Sequence, residues 1–175
     1  MCKRFVPHYY ASSIYEVPID FYSQRGYRKL VLDLDNTLDS FRAKVPSERA
    51  LHLVRSLQKA GYMVIIVSNN TEKRVAPYAA VLGVKFLSSA RKPFGYKFKK
   101  FFRTEGIDPR ETLLIGDQLL TDVLASKNAG ISVLLTEKIV KEDQWTTKIN
   151  RLFDRPIRAL LRRKDRLPCW RKFYE

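Results

Sequence analysis

Short apolar runs punctuate the chain at Lys29–Leu34 (KLVLDL), Met63–Val67 (MVIIV), Val84–Leu87 (VKFL), Thr112–Ile115 (TLLI) and Ile131–Leu135 (ISVLL). Each is rich in Val, Ile or Leu and bounded by polar or turn residues, the pattern of buried strands. Between them the apolar positions change period. Ala50, Leu53, Val54 and Leu57 recur at helical spacing behind Ser47, which is suited to cap a helix starting near Glu48 and ending at Gly61. The same reading predicts helices from Thr71 to Leu82, from about Phe94 to Thr104 and from Leu119 to Asn128, stopped by Gly83, Gly106 and Gly130. Strand and helix alternate from about residue 29 to 135. That order predicts an α/β fold: a three-layer sandwich around a mostly parallel sheet with right-handed crossovers.

Two flanks differ from this core. Residues 1–28 are aromatic and irregular, with Tyr9, Tyr10, Tyr15, Phe21, Tyr22 and Tyr27. Residues 146–171 are strongly basic. There Ile149, Leu152, Phe153, Pro156, Ile157, Leu160 and Leu161 form a helical stripe, and Lys148, Arg151, Arg155, Arg158, Arg162, Arg163 and Lys164 lie largely off it. Such a basic amphipathic helix, kinked at Pro156, suits an anionic interface, a core-packed helix or RNA phosphates. Both flanks are expected as appendages to one domain spanning 1–175.

Composition narrows the class. The 175 residues are 45% hydrophobic, enough for one folded domain. No apolar run approaches the roughly 20 residues that span a bilayer. The start, Met1-Cys2-Lys3-Arg4-Phe5-Val6-Pro7, does not read as a secretory signal. Cys2 and Cys169 are the only cysteines, far apart and without metal-ligand spacing, so a reducing, cytoplasmic setting is expected. The net charge of +15 favours partners that carry phosphate: a phosphorylated substrate, an anionic membrane or nucleic acid.

Chemistry enters where the strands end. Asp33 and Asp35, spaced i, i+2, share a face at the end of the first run, and Thr37 follows. Ser68-Asn69-Asn70 follows MVIIV. Arg91-Lys92-Pro93 follows the third strand. Gly116-Asp117-Gln118 follows TLLI, with Asp122 five residues beyond Asp117. In a parallel sheet these ends share one edge, where open α/β sheets bind ligands. Taken singly, Ser68 fits a cap, Lys92 a loop and Asp122 a helix surface; their order along the chain points to one crevice. Asp33 can attack phosphorus as a carboxylate nucleophile, and Asp35 can protonate the leaving oxygen and then deprotonate water. Asp33, Asp35 and Asp117 are hard oxygen ligands suited to Mg²⁺. Thr37, Ser68, Asn69 and Lys92 are the candidate phosphate-binding residues.

These four motifs resemble those of the haloacid dehalogenase (HAD) superfamily of phosphatases. The resemblance implies a HAD-like, Rossmann-like fold and a Mg²⁺-dependent aspartyl-phosphate mechanism, with Asp33 as nucleophile, Asp35 as acid/base, Ser68 and Lys92 on phosphate and Asp117 on the metal. Asp122 is then expected to assist the metal or orient Lys92. "VSNN", "ARKPFG" and "IGDQLLTDVLASKNAG" are similar to the YqeG-type subfamily, class IIIA, whose eukaryotic relatives are phosphatidylglycerophosphate phosphatases. Asp39-Ser40-Phe41 departs from the apolar pattern usual there. The intervals Asp35–Ser68 and Ser68–Lys92 leave no room for a cap domain, so an open site and a large substrate are expected. The reading is a phosphatidylglycerophosphate phosphatase, peripheral on the inner face of the membrane. The alternatives are a phosphatase of another substrate, protein or nucleotide, and a nucleic-acid- or ribosome-associated protein with a secondary phosphatase site.

Overall fold

Val31 faces one side of its strand and Leu30 and Leu32 the other, and this alternation sets the layers of the molecule. The structure is a computed structural model that describes residues 3–140 and 145–175, with the side chains of all but 145–151. Its strands are β1 (Tyr9–Ala11), β2 (Lys29–Leu32), β3 (Met63–Val67), β4 (Lys85–Leu87), β5 (Thr112–Gly116) and β6 (Ser132–Thr136). Its helices are α1 (Ile19–Gln24), α2 (Glu48–Lys59), α3 (Glu72–Leu82), α4 (Tyr96–Thr104), α5 (Leu124–Ala129) and α6 (Trp145–Arg163). The sheet runs β1-β6-β5-β2-β3-β4, every neighbouring pair parallel.

Leu30, Leu32, Val64, Ile66, Leu113 and Ile115 pack one face against Leu53, Val54 and Leu57 of α2 and Val75, Tyr78 and Ala79 of α3. Val31, Ile65, Leu114 and Val133 pack the other against Phe98 and Phe102 of α4, Ala125 of α5 and Leu161 of α6. The expected three-layer α/β sandwich is therefore present. The caps behave as their chemistry predicts: Ser47 Oγ accepts from Ala50 N at 3.2 Å, and Gly83 ends α3 at φ 65°. α4 begins at Tyr96, two residues later than its apolar pattern predicts, behind Gly95. A Cβ on Gly95 would lie 2.8 Å from Ala129 N, so glycine here permits close contact with the end of α5. A π-helical turn, Leu119–Val123, leads into α5.

From β2 the chain steps to β3 and β4, then returns to the far side of β2 for β5 and β6. The order reverses between β2 and β5, and ligands of open α/β sheets bind outside such a switch point.

The aromatic arm differs from its irregular reading. Tyr9–Ala11 adds the edge strand β1, parallel to β6, and Ile14, Phe21 and Tyr22 are fully buried. The Tyr9 ring packs edge-on against Phe21, Tyr27 and Phe173. Three residues are too few to show a strand period, so this element was hidden in the sequence.

The basic segment also needs correction. Arg158, grouped with the solvent-facing cations, is only 8% exposed, and Arg162 is paired with Glu137 at 2.5 Å. Leu161 is buried in the core, whereas Leu152 and Phe153 are 71% and 58% exposed. The apolar stripe therefore splits: its C-terminal end packs inward and its middle faces solvent. Lys148, Ile149 and Arg151 lie outside the described side chains.

His8 ties the start of β1 to β6. Its Nδ1 accepts from Val133 N at 3.0 Å, and burial, with the Lys127 charge second, lowers its pKa from 6.5 to about 4. The unfolded chain then binds the proton more readily, so stability present above pH 6.5 is lost as pH falls towards 4. His8 is only half-buried, so after solvent screening the effect is about 1–2 kcal/mol. His8→Asn, which keeps an acceptor for Val133, is expected to melt with a shallower acid dependence between pH 6.5 and 4.5. Parallel melting curves for parent and variant would remove His8 from the account.

Candidate active site

Asp33 follows β2 directly, and its N–H still donates to Ile115 O of β5 at 2.8 Å, which fixes it beside the neighbouring strand end. Lys92 Nζ lies 2.5 Å from Asp33 Oδ1 and 2.6 Å from Asp122 Oδ1. Asp117, at the end of β5, completes the group. One carboxylate oxygen each of Asp33, Asp117 and Asp122 lies within 4.8 Å of the others, and all three are buried. Gly116 permits the crowding, since a Cβ there would sit 2.4 Å from Asp122 Cγ. Asp122 is further held by the Gln118 N–H, donated to Oδ2 at 3.0 Å.

Three buried carboxylates face one ammonium. Burial pushes the Asp33 pKa well above the usual carboxylate range; Lys92 opposes this, and the charges of Asp122 and Asp117 add to it. Burial also works against the Lys92 ammonium, but Asp122 and Asp33 outweigh it and raise its pKa, so it stays charged. The site thus gathers three hard oxygen donors in a buried cluster whose one ammonium, among the described residues, is that of Lys92. A divalent cation with a preference for oxygen fits that donor set in both charge and chemistry.

The other expected site residues differ in how they stand to this cluster. Thr37 Oγ1 donates to Asp33 Oδ2 at 3.3 Å. Ser68 is buried at the end of β3, and its Oγ accepts from Asn70 N at 3.0 Å. Asn69 turns both amide atoms to the main chain of Lys92: Oδ1 accepts from Lys92 N at 2.7 Å, and Nδ2 donates to Lys92 O at 3.1 Å. It thereby holds the lysine loop. Asp35 stands outside the three-carboxylate group. It accepts from Asn70 Nδ2 at 2.6 Å and from Arg74 Nη2 at 3.0 Å.

Asn70 belongs to the strand-end run after β3, but Arg74 is a partner that strand-end spacing did not reveal. Asp39 is another. It accepts from Ser47 N at 2.9 Å, Ser47 Oγ at 2.7 Å and Tyr78 OH at 2.6 Å, so it anchors the start of α2 to α3. The departure from an apolar pattern at that position thus has a structural cause.

A further support comes from α6. Asp154 Oδ1 accepts from Leu119 N at 2.6 Å, and Arg158 Nη2 donates to the main-chain oxygen of Asp117 at 2.7 Å. The two side chains, themselves an i, i+4 ion pair, grip both sides of the loop that carries Asp117. The connections that follow β2, β3 and β4 at this edge, residues 33–47, 68–71 and 88–95, contain no inserted domain.

A family model described as mitochondrial PGP phosphatase matches residues 2–140. "Probable phosphatase YqeG" of Bacillus subtilis (strain 168) is 32% identical over 165 residues, 94% of this chain and 96% of that protein. A glyceraldehyde 3-phosphate phosphatase of Pyrococcus furiosus is 26% identical over 59% of this chain and 46% of its own length. Among solved structures, a HAD superfamily (subfamily III A) hydrolase from Legionella pneumophila superposes with a TM-score of 0.51 at 18% identity, covering 70% of this chain and 72% of that one. The cobalt-bound deoxy-D-mannose-octulosonate 8-phosphate phosphatase from Haemophilus influenzae gives 0.50 at 16% identity, covering 66% and 81%. At these identities the two structures establish the fold.

Proposed function

The chain belongs to the mitochondrial PGP phosphatase family, as a YqeG-type phosphatase of the HAD superfamily, and from that premise we propose that it hydrolyses phosphatidylglycerophosphate with Mg²⁺ and an aspartyl-phosphate intermediate. The observation that carries the chemistry is the buried Asp33–Lys92–Asp122 chain beside Asp117 at the switch point. Asp33, Asp117 and Asp122 would hold the metal, which when bound offsets negative charge on the phosphate and polarises it towards attack. A carboxylate oxygen of Asp33 forms a bond to phosphorus as the bond to the leaving oxygen breaks. Asp35 gives that oxygen a proton, then takes one from the water that attacks the aspartyl-phosphate and regenerates Asp33. Lys92, Ser68 and neighbouring main-chain N–H groups bind the phosphoryl oxygens, and Asn69 keeps Lys92 in position.

The family description, and connections after β2, β3 and β4 that carry no inserted domain, support a lipid headgroup as substrate. The exposed Leu152 and Phe153, next to Arg155 on the helix that grips the Asp117 loop, support contact with an anionic bilayer. No helix among the described residues is long and apolar enough to cross a membrane.

Phosphate release from vesicle-borne phosphatidylglycerophosphate, sugar phosphates, nucleotides and phosphopeptides, with Mg²⁺, Ca²⁺ or chelator, tests this reading. Preference for the lipid with Mg²⁺ is expected, and a stronger preference for any other member of the panel would replace the substrate assignment. Phe153→Ser with Arg155→Gln is expected to lower hydrolysis of the vesicle-borne lipid about tenfold and leave a soluble ester unaffected. Equal loss on both substrates would remove the docking role.

A further inference from the structure

Arg74 lies in the first turn of α3 and extends its guanidinium to the rim of the crevice, Nη2 to Asp35 Oδ1 at 3.0 Å. The other oxygen of Asp35 accepts from Asn70, so the carboxylate is fixed from two sides. Nη1 of the same guanidinium is buried and has no acceptor among the described residues. A guanidinium carries five N–H groups in a planar fork matched to carboxylate and phosphate oxygens, and one edge of this fork is unanswered. Beneath it lies the Tyr78 ring, 5.5 Å from Cζ to centroid, and the Tyr78 hydroxyl is pinned by Asp39. The cation therefore rests on a fixed aromatic floor while its side chain keeps 20% of its surface in solvent.

Position gives this cation its meaning. Asp35 is read above as the group that protonates the leaving oxygen, and the inference rests on that reading. Whatever adjoins Asp35 on the solvent side then lies along the leaving alcohol. We propose that Arg74 is a specificity residue that selects esters whose leaving alcohol carries a second anion, a phosphodiester one short linker from the scissile bond. The anion pairs with this cation where its side chain meets solvent, and the buried, unanswered Nη1 leaves the guanidinium short of acceptors, while Tyr78 and Asp39 hold the side chain's base. A simple monoester such as glycerol phosphate lacks the second anion and gains from Arg74 only its hold on Asp35. A site with a polar group waiting for a partner discriminates strongly against analogues that lack it.

The test compares kcat and KM for three substrates: glycerol 3-phosphate, the soluble glycerophosphoglycerol phosphate, and phosphatidylglycerophosphate in vesicles. The first lacks the second anion, the second carries it without acyl chains, and the third carries it in a bilayer. The parent is expected to prefer both diester-bearing substrates. Arg74→Gln slows all three, because Asp35 loses a partner. The diester-bearing esters are expected to lose at least about tenfold more kcat/KM than glycerol phosphate, mainly through KM. Arg74→Lys, a charge without the fork, is expected to retain part of the preference, and it decides the matter if Arg74→Gln melts at a lower temperature than the parent. An unchanged ratio between substrates in both variants overturns the inference and leaves the phosphatase reading intact. A preference confined to the vesicle-borne lipid also overturns it, because the bilayer and not the anion is then being read. A parent that releases phosphate from none of the three overturns the catalytic reading of Asp35 itself, and Arg74's role with it.

Discussion

Asp33→Asn is expected to release phosphate at least about a thousandfold more slowly than the parent while melting no lower. The amide matches the carboxylate in shape but does not attack phosphorus. Most replacements of a buried charged residue destabilise, so the second half of the expectation is the more specific. Asp33 is one of three carboxylates packed around one ammonium, and burial alone already disfavours its ionised form. Neutralising it relieves repulsion with Asp122 and Asp117, and Lys92 keeps its bond to Asp122. Activity and stability therefore move separately, which a merely structural aspartate would not allow. Turnover near the parental rate, with mass spectrometry showing the amide intact, would remove Asp33 as the nucleophile.

Lys92→Met is expected to lose both. It removes the only ammonium in the described cluster and leaves Asp33 and Asp122 buried without their charged partner. Breaking a buried pair from one side costs about 3–5 kcal/mol, and the loss of charge stabilisation on the phosphoryl group costs about a hundredfold or more in rate. Adding Asp33→Asn to Lys92→Met is expected to restore much of the melting temperature and none of the activity. That non-additivity is the signature of residues acting as one unit. A Lys92→Met protein that melts with the parent would show that the carboxylates are relieved by some other means.

These outcomes rest on features that differ in how openly the sequence displays them. MVIIV and TLLI become β3 and β5 within a residue because continuous β-branched and leucine runs bounded by turns have few other uses in a small α/β domain. Asp33, Lys92, Asp117 and Asp122 converge because parallel strands bring their C-terminal ends to one edge, which the strand order alone implies. Arg74 was not visible in this way. It lies 39 residues from Asp35, and only the docking of α3 brings the two together. β1 is three residues long and is recognisable only through its pairing with β6. Arg158 looked like any other cation in a basic helix. Its one local mark was Asp154 four residues earlier, a pair that on an open helix surface means little and here closes over the Asp117 loop. Charge and periodicity describe what a residue can do, and the choice between a membrane face and a buried clamp was made by packing.

The grip of α6 on that loop has a consequence for how the enzyme comes into being. The loop of Asp117 is fastened from residues 154 and 158, some 40 positions later in the chain, and β1 pairs with β6, more than 120 positions on. Contacts this distant in sequence close slowly, and on the ribosome they cannot close until the later segment has emerged. The strand that leads to Asp33 is made early, but the loop opposite it is held only once α6 is complete. A nascent chain halted after β6 would contain every acidic residue of the site and still lack the brace for one of them. Catalytic competence thus waits on α6, and a chain truncated at residue 140, where the family match ends, is expected to be a poor miniature of the enzyme.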